Sequence, residues 1–172
     1  DCPVYLLEGP RLPMLEKLIL RSIDVRAVLV PLRRPVVSKV GLFSDWPLIL
    51  IDLHTNEGIV GRSYLEPYLK DSARYIIPAI QNLAAAHIGN ALTPLDAFQA
   101  NRRALNLVGY EGIAMIAASG MDMAIWDALA KAASMPLAVL LGGTLGRVPA
   151  YNSNGLWLTD VARLADEAGE LV

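Results

Sequence analysis

The sequence predicts an α+β fold, an antiparallel three-stranded meander followed by a helical bundle. Three observations predict it. Apolar residues alternate or run together over 18–65, with a turn signal at Thr55-Asn56-Glu57-Gly58. From Lys70 onward the apolar spacing changes to three and four. Between Ala117 and Gly143 lies a long small-residue stretch that ends in a proline turn and a Gly-Gly stop.

Each element can be justified in order. Residues 18–30 are rich in Ile, Val and Leu with partial alternation, which predicts a strand. Pro31 and Pro35 bracket a loop, and residues 36–46 mix small, apolar and polar types, with Gly41 as a hinge. Residues 47–54 are nearly continuous in apolar character, as expected of a well-buried second strand. The Asn and Gly of the following turn tolerate left-handed backbone, so residues 59–65 return as the third strand. A helix follows over 70–88, with Ile76, Ile77, Ile80, Leu83 and Ala84 on one stripe; Pro78 inside it predicts a kink or a late start. Thr93 is positioned as an N-cap with Pro94 at the first helical position of a helix running to Asn106. Gly109 and Gly112 flank a short loop. The long helix over 113–134 carries Ala117, Ala118, Gly120, Ala124, Ala128 and Ala132, so a neighbouring element can approach closely. Asp127 and Lys131 sit four apart as an ion pair, and Asp122 is expected to pair or cap within the fold. Pro136 opens a short helix that Gly142 and Gly143 stop. Residues 150–157 read as one more strand, after which Thr159 caps a helix still running at Val172.

Composition excludes several classes. A chain of 172 residues is enough for one compact domain, or one domain and part of another. With 54% hydrophobic and 19% charged residues it is apolar enough to argue for large buried faces, with a partner surface as one option for them. The net charge of -2 leaves no footprint for nucleic acid, and the pairs Arg33-Arg34 and Arg102-Arg103 read as solvated surface. Cys2 is the sole cysteine, so an intrachain disulfide and a cysteine zinc site are both ruled out, which fits the cytoplasm. No apolar run reads as a membrane span, because charged or amide residues interrupt the long helices. Residues 1–13 lack the layout of a signal peptide and read as an extension outside the native fold, with Met14 as a natural start.

Local chemistry is sparse. His54 and His87 are far apart, with no carboxylate spaced to join either on a helix face, so both read as structural. Asp122 and Asp127 belong to a helix rather than to strand ends, and Asp52 reads as outward-facing or hydrogen-bonded. Ser63 and Ser119 lack the frame of a nucleophile elbow. Gly142-Gly143-Thr144-Leu145-Gly146 lacks the lysine of a phosphate loop.

The order Ala117-x-Ser119-Gly120-Met121-Asp122-x-Ala124-Ile125-Trp126-Asp127-x-x-x-Lys131, then Pro136-Leu137-x-x-Leu140-Leu141-Gly142, resembles the mandelate racemase/muconate lactonizing branch of the enolase superfamily. Pro35 to Gly41, Pro47 to Leu53, Gly58-Ile59-Val60-Gly61 and Ser63-Tyr64-Leu65 agree, and the pattern is most similar to the mandelate racemase group. The likeness runs from Leu18 to Gly155. It implies an α+β capping domain over 14–146 and, over 147–172, the first βα unit of a truncated (β/α) barrel. Such barrels hold Mg²⁺ on carboxylates of successive strands, with a lysine motif after the second strand and, in the racemase-like group, a His-Asp dyad. They abstract the proton beside a carboxylate while the metal stabilises the enediolate. None of those groups falls within these residues, so the resemblance implies no catalytic residue and no metal ligand here. It does imply substrate contacts. Val36 and Phe43 match a mobile loop on the apolar side of the pocket, Tyr68 an aromatic on a second closing loop, and Ser153 a hydroxyl at the end of the first barrel strand. Phe43 is larger than the group's small apolar residue, and Lys39 and Asp45 add charge. These departures point to a sugar acid whose hydroxyls meet Lys39 or Asp45, as readily as to mandelate.

The resulting expectation is the amino-terminal part of a cytoplasmic, homo-oligomeric, Mg²⁺-dependent racemase or acid-sugar dehydratase. The chain alone is expected to bind no Mg²⁺ and to be inactive. Its small-residue helix and the 150–157 strand are expected to bury against the absent barrel, so that alone it is marginal or self-associates. A free-standing non-catalytic cap and a truncated gene product are the alternatives; the unfinished final helix favours part of a larger enzyme.

Overall fold

The computed structural model describes residues 17–157 and 160–171. Strands β1 (Leu20–Ser38), β2 (Gly41–Thr55) and β3 (Val60–Leu65) form one antiparallel sheet in the order β1-β2-β3. The Thr55–Ile59 turn joins β2 to β3 as expected, with Gly58 at φ 83 and the Thr55 hydroxyl accepting the Ile59 N–H at 3.1 Å. Along β2, Ile49, Ile51, Leu53 and Thr55 are buried while Leu48, Leu50, Asp52 and His54 are only half covered. The continuous apolar run therefore conceals a one-sided strand, because helices cover only one face of the sheet.

The expected loop between Pro31 and Trp46 is instead the far end of a long β1–β2 hairpin. Pairing runs regularly to Pro31↔Asp45, shifts, and resumes at Val36↔Phe43, Val37↔Leu42 and Ser38↔Gly41. Four residues, 32–35, thus lie opposite Ser44 alone. Pro31 and Pro35 lack the N–H groups a regular ladder needs, and a bulge absorbs the mismatch.

A 3-10 turn (Lys70–Ser72) leads into α1 (Ala73–Ala85), so the helix starts late, with Pro78 inside it. α2 (Pro94–Ala104) begins at Pro94, as expected. The Thr93 carbonyl accepts the Ala97 N–H at 2.9 Å, but its side chain makes no capping bond. The central helix α3 (Ile113–Ala132) closes on a positive-φ residue, Ser134, with the Ser134 and Met135 N–H groups returning to Lys131 and Ala130. α4 (Leu137–Leu140) ends the same way on Gly142, and the Gly143 N–H reaches the Ala138 carbonyl at 2.7 Å.

The core joins Leu20, Ile49, Ile51 and Leu53 of the sheet to Ile76 and Ile80 of α1 and to Met121 and Ile125 of α3. The small-residue face of α3 is buried inside this domain, against β2 and β3, rather than held in reserve for a barrel. A Cβ on Gly120 would come within 2.6 Å of Ile51 Cδ1, and one on Gly61 would collide with the Ala124 backbone carbonyl. α3 is long and apolar enough to cross a membrane by length and composition, contrary to the expectation from its charged residues. Its apolar character is that of a core helix, since its Ala and Gly positions meet the sheet.

Beyond α4 the chain is irregular through Trp157, so the expected 150–157 strand is not formed; a parallel strand needs a neighbour to complete its hydrogen bonds. α5 (Val161–Leu171) follows. Thr159 and the 1–13 extension lie outside the described residues.

Candidate functional site

Val36 and Phe43 are cross-strand partners near the tip of the hairpin, both half-buried. Phe43 also packs edge-on against Trp46, with ring centroids 6.2 Å apart. Tyr68 is 65% exposed and has φ 61, in a three-residue turn closed by the Leu69 N–H donating to the Pro67 carbonyl at 2.7 Å. A tyrosine in left-handed backbone is strained, and the sequence carries no signal for it. Ser153 is exposed on the irregular segment, beside an Asn152 whose side chain accepts the Asn154 N–H at 3.1 Å.

No side-chain hydrogen bond joins these four residues to one another among the described residues. Two polar bridges join their segments. Lys70, just after the Tyr68 turn, donates to Asp45 of the hairpin at 3.0 Å. Asp45 is thus tied to Lys70 through one carboxylate oxygen, while Lys39 is exposed in the hairpin turn. On the other side Arg34 reaches the Asn154 carbonyl at 3.3 Å and the carboxylates of Glu167 and Glu170. Arg34 thus departs from the solvated reading, a result of tertiary contact that an isolated arginine pair does not advertise.

Several other charged groups are tied into the fold. Asp127 accepts the Arg62 N–H at 2.7 Å and pairs with Lys131, whose Nζ also reaches the Val60 carbonyl at 2.8 Å. Together they satisfy backbone groups of β3 that its ladder leaves over. Asp52 lies between Arg26 and Arg62 at 2.8 and 3.1 Å, and the Arg26 hydrogen bond holds its carboxyl below the ordinary value. His54 contacts Asp24 at 3.0 Å, and His87 contacts the buried Asn101 at 2.8 Å. Asp122 makes no hydrogen bond or ion pair among the described residues, against expectation, and burial pushes its carboxyl up.

No group of three or more His, Cys, Asp or Glu among the described residues is placed to hold a metal ion. Asp52, Asp45 and Glu167 are each paired with arginine or lysine.

A one-sided sheet under a central small-residue helix, with a long hairpin and a strained turn beside it, matches the architecture of the enolase-type N-terminal capping domain. Residues 21–142 match the mandelate racemase / muconate lactonizing enzyme N-terminal domain, and the chain belongs to that family. It is similar to the structure of an enolase from the alpha-proteobacterium BAL199 with bound magnesium, at 52% identity and TM-score 0.86, over 90% of this chain and 42% of that one. An enolase from Bradyrhizobium, complexed with magnesium and mandelic acid, shares 35% identity at TM-score 0.76, over 80% of this chain and 38% of that one. D-galactonate dehydratase of Pectobacterium atrosepticum is 34% identical over 108 residues, 60% of this chain and 27% of that protein. The chain thus spans less than half the length of each of these proteins.

Proposed function

We propose that residues 14–146 cap, and residues 147–172 begin, the barrel of a magnesium-dependent acid-sugar dehydratase, whose proton-abstracting groups lie outside these residues. The observation that carries this reading is the arrangement of three segments, the hairpin, the Tyr68 turn and the Ser153 segment, bridged by Asp45–Lys70 and by Arg34. Sugar-acid dehydratases among the relatives supply the substrate class. In this role Val36 and Phe43 form an apolar wall, and the Tyr68 and Ser153 hydroxyls meet the polar substrate. The closed loops exclude water, which strengthens every charge interaction at the reacting carbon. Magnesium, when bound by the barrel, stabilises the negative charge that builds on the substrate carboxylate.

A whole protein carrying these residues, supplied with Mg²⁺ and a panel of aldonic and aldaric acids, should release a 2-keto-3-deoxy acid from at least one of them. Absence of that product, with racemisation of a 2-hydroxy aryl acid instead, would overturn the dehydratase reading. The mandelic acid held by the Bradyrhizobium neighbour favours this second outcome. Residues 1–172 alone should show no α-proton exchange in D₂O with either substrate class.

A further inference from the structure

We infer that Arg34 is a positioning residue: a latch that fixes the hairpin tip against the Asn154 segment through Glu167 and Glu170 of α5. The tip, 36–43, is separated from the regular ladder by the bulge at 32–35, which Pro31 precedes and Pro35 ends. Such a break lets the tip swing with little loss of pairing in the stem. Arg34 sits inside the bulge. One of its nitrogens lies 3.5 Å from Glu167 and 3.3 Å from the Asn154 carbonyl, and the other bonds Glu170. A planar guanidinium can hold two carboxylates and a carbonyl at once, which a lysine ammonium does with less geometric fixity.

Gly155 gives independent support. A Cβ there would come within 2.8 Å of Arg34 Nη1, of Glu167 Oε1 and of Leu171 Cδ1. The bare backbone at 155 is what leaves room for the ion pair. Val36 and Phe43 ride on the latched tip and Ser153 lies one residue before the carbonyl that Arg34 holds, so the latch sets the spacing between the two walls. Arg34 itself is assigned no contact with substrate.

The inference concerns the resting position of the hairpin and stands apart from the acid-sugar reading. Hydrogen–deuterium exchange of peptides covering 36–44, with peptides covering 49–54 as the fold control, tests it on the full chain without any substrate. Arg34→Ala should speed exchange at the tip by about 3- to 5-fold, the scale of a partly shielded ion-pair network, and leave the control unchanged. Glu167→Gln with Glu170→Gln should do the same, and combining all three should add nothing further. Arg34→Lys should restore part of the protection. Gly155→Ala should release the tip with every charge in place. Unchanged tip exchange in Arg34→Ala, or additive effects of the arginine and glutamate changes, would overturn the latch. Should Arg34→Ala also disturb the control peptides, the glutamine pair decides by the same criterion. Failure of the dehydratase assay would leave these exchange rates untouched.

Discussion

The two parts of this chain use similarly apolar sequence to opposite effect. Between Leu18 and Ala130, apolar side chains of the sheet, α1 and α3 interlock into a single core. After Ala130 no described residue is buried. Yet Leu145, Val148, Tyr151 and Val161 stand there between 68% and 90% exposed. α5 is amphipathic; Leu164, Ala168 and Leu171 on its apolar face are only half-buried, and its hydrogen bonds to the rest of the molecule run to Arg34 and Asn152. The lesson is that apolar composition permits burial, while a complementary surface decides it. The first region contains its own complement, in a flat sheet face and a helix stripped of bulk. The second, within the described residues, offers a surface that covers its apolar side chains only in part.

The sharpest way to break this contrast is a matched pair of truncations. Ile51 is fully buried between sheet and helices, and Ile51→Ala should cost about 3–4 kcal/mol through lost burial and a residual cavity. Tyr151 is 90% exposed, and Tyr151→Ala should stay within about 0.5 kcal/mol. Urea unfolding midpoints measure both; comparable losses would mean that the second region has a core of its own. Next in size is Gly61→Ala. The added methyl meets a backbone carbonyl of α3, which cannot rotate aside, so a loss of about 2–3 kcal/mol is expected. Gly146→Ala, with open space around its Cβ position, is the control in the second region and should be close to neutral.

Much of the first region was legible in the sequence because its signals are local. The Asn-Glu-Gly turn, the change of period at Lys70, Pro94 and the Gly142 stop each act within a few residues, and each is found where it was expected. What failed depended on partners distant in sequence. The extension of β1 and β2 past Pro31 requires two segments to find each other across a bulge. Residues 150–157 have strand composition but no strand to pair with. Of the candidate site, Val36 and Phe43 emerge as neighbours through register alone, whereas the left-handed Tyr68 and the Arg34 bridges follow from tertiary geometry that no residue type announces.

Smaller effects sharpen the comparison through charge. Asp52 is held between two arginines on the open sheet face, and the Arg26 hydrogen bond lowers its pKa. A lowered folded pKa contributes stability that is present above the unfolded value and lost as pH falls through the folded one. Asp52→Asn should therefore lose about 1 kcal/mol or less at pH 7, and the loss should vanish once both forms are protonated below the usual carboxylate range. Constant destabilisation from pH 7 to pH 2 would show that geometry, not charge, is what Asp52 supplies.

Asp122 carries the opposite sign and the smallest expected change. It lies in the well-packed region, on α3, yet has no ion-pair partner among the described residues, whereas Glu167 in the poorly packed region has Arg34. Burial raises its pKa from 3.8, because removing water penalises the charged form. A raised folded pKa favours the fold fully below the unfolded value, and that advantage is lost as pH rises through the folded one. The penalty therefore falls on the charged form, as pH rises above the folded pKa. Asparagine keeps the shape of the neutral acid without the charge, so Asp122→Asn should raise the melting temperature at pH 7 and leave it unchanged at pH 3. A lower melting temperature at pH 7 would mean that the charge answers an attraction that outweighs its desolvation.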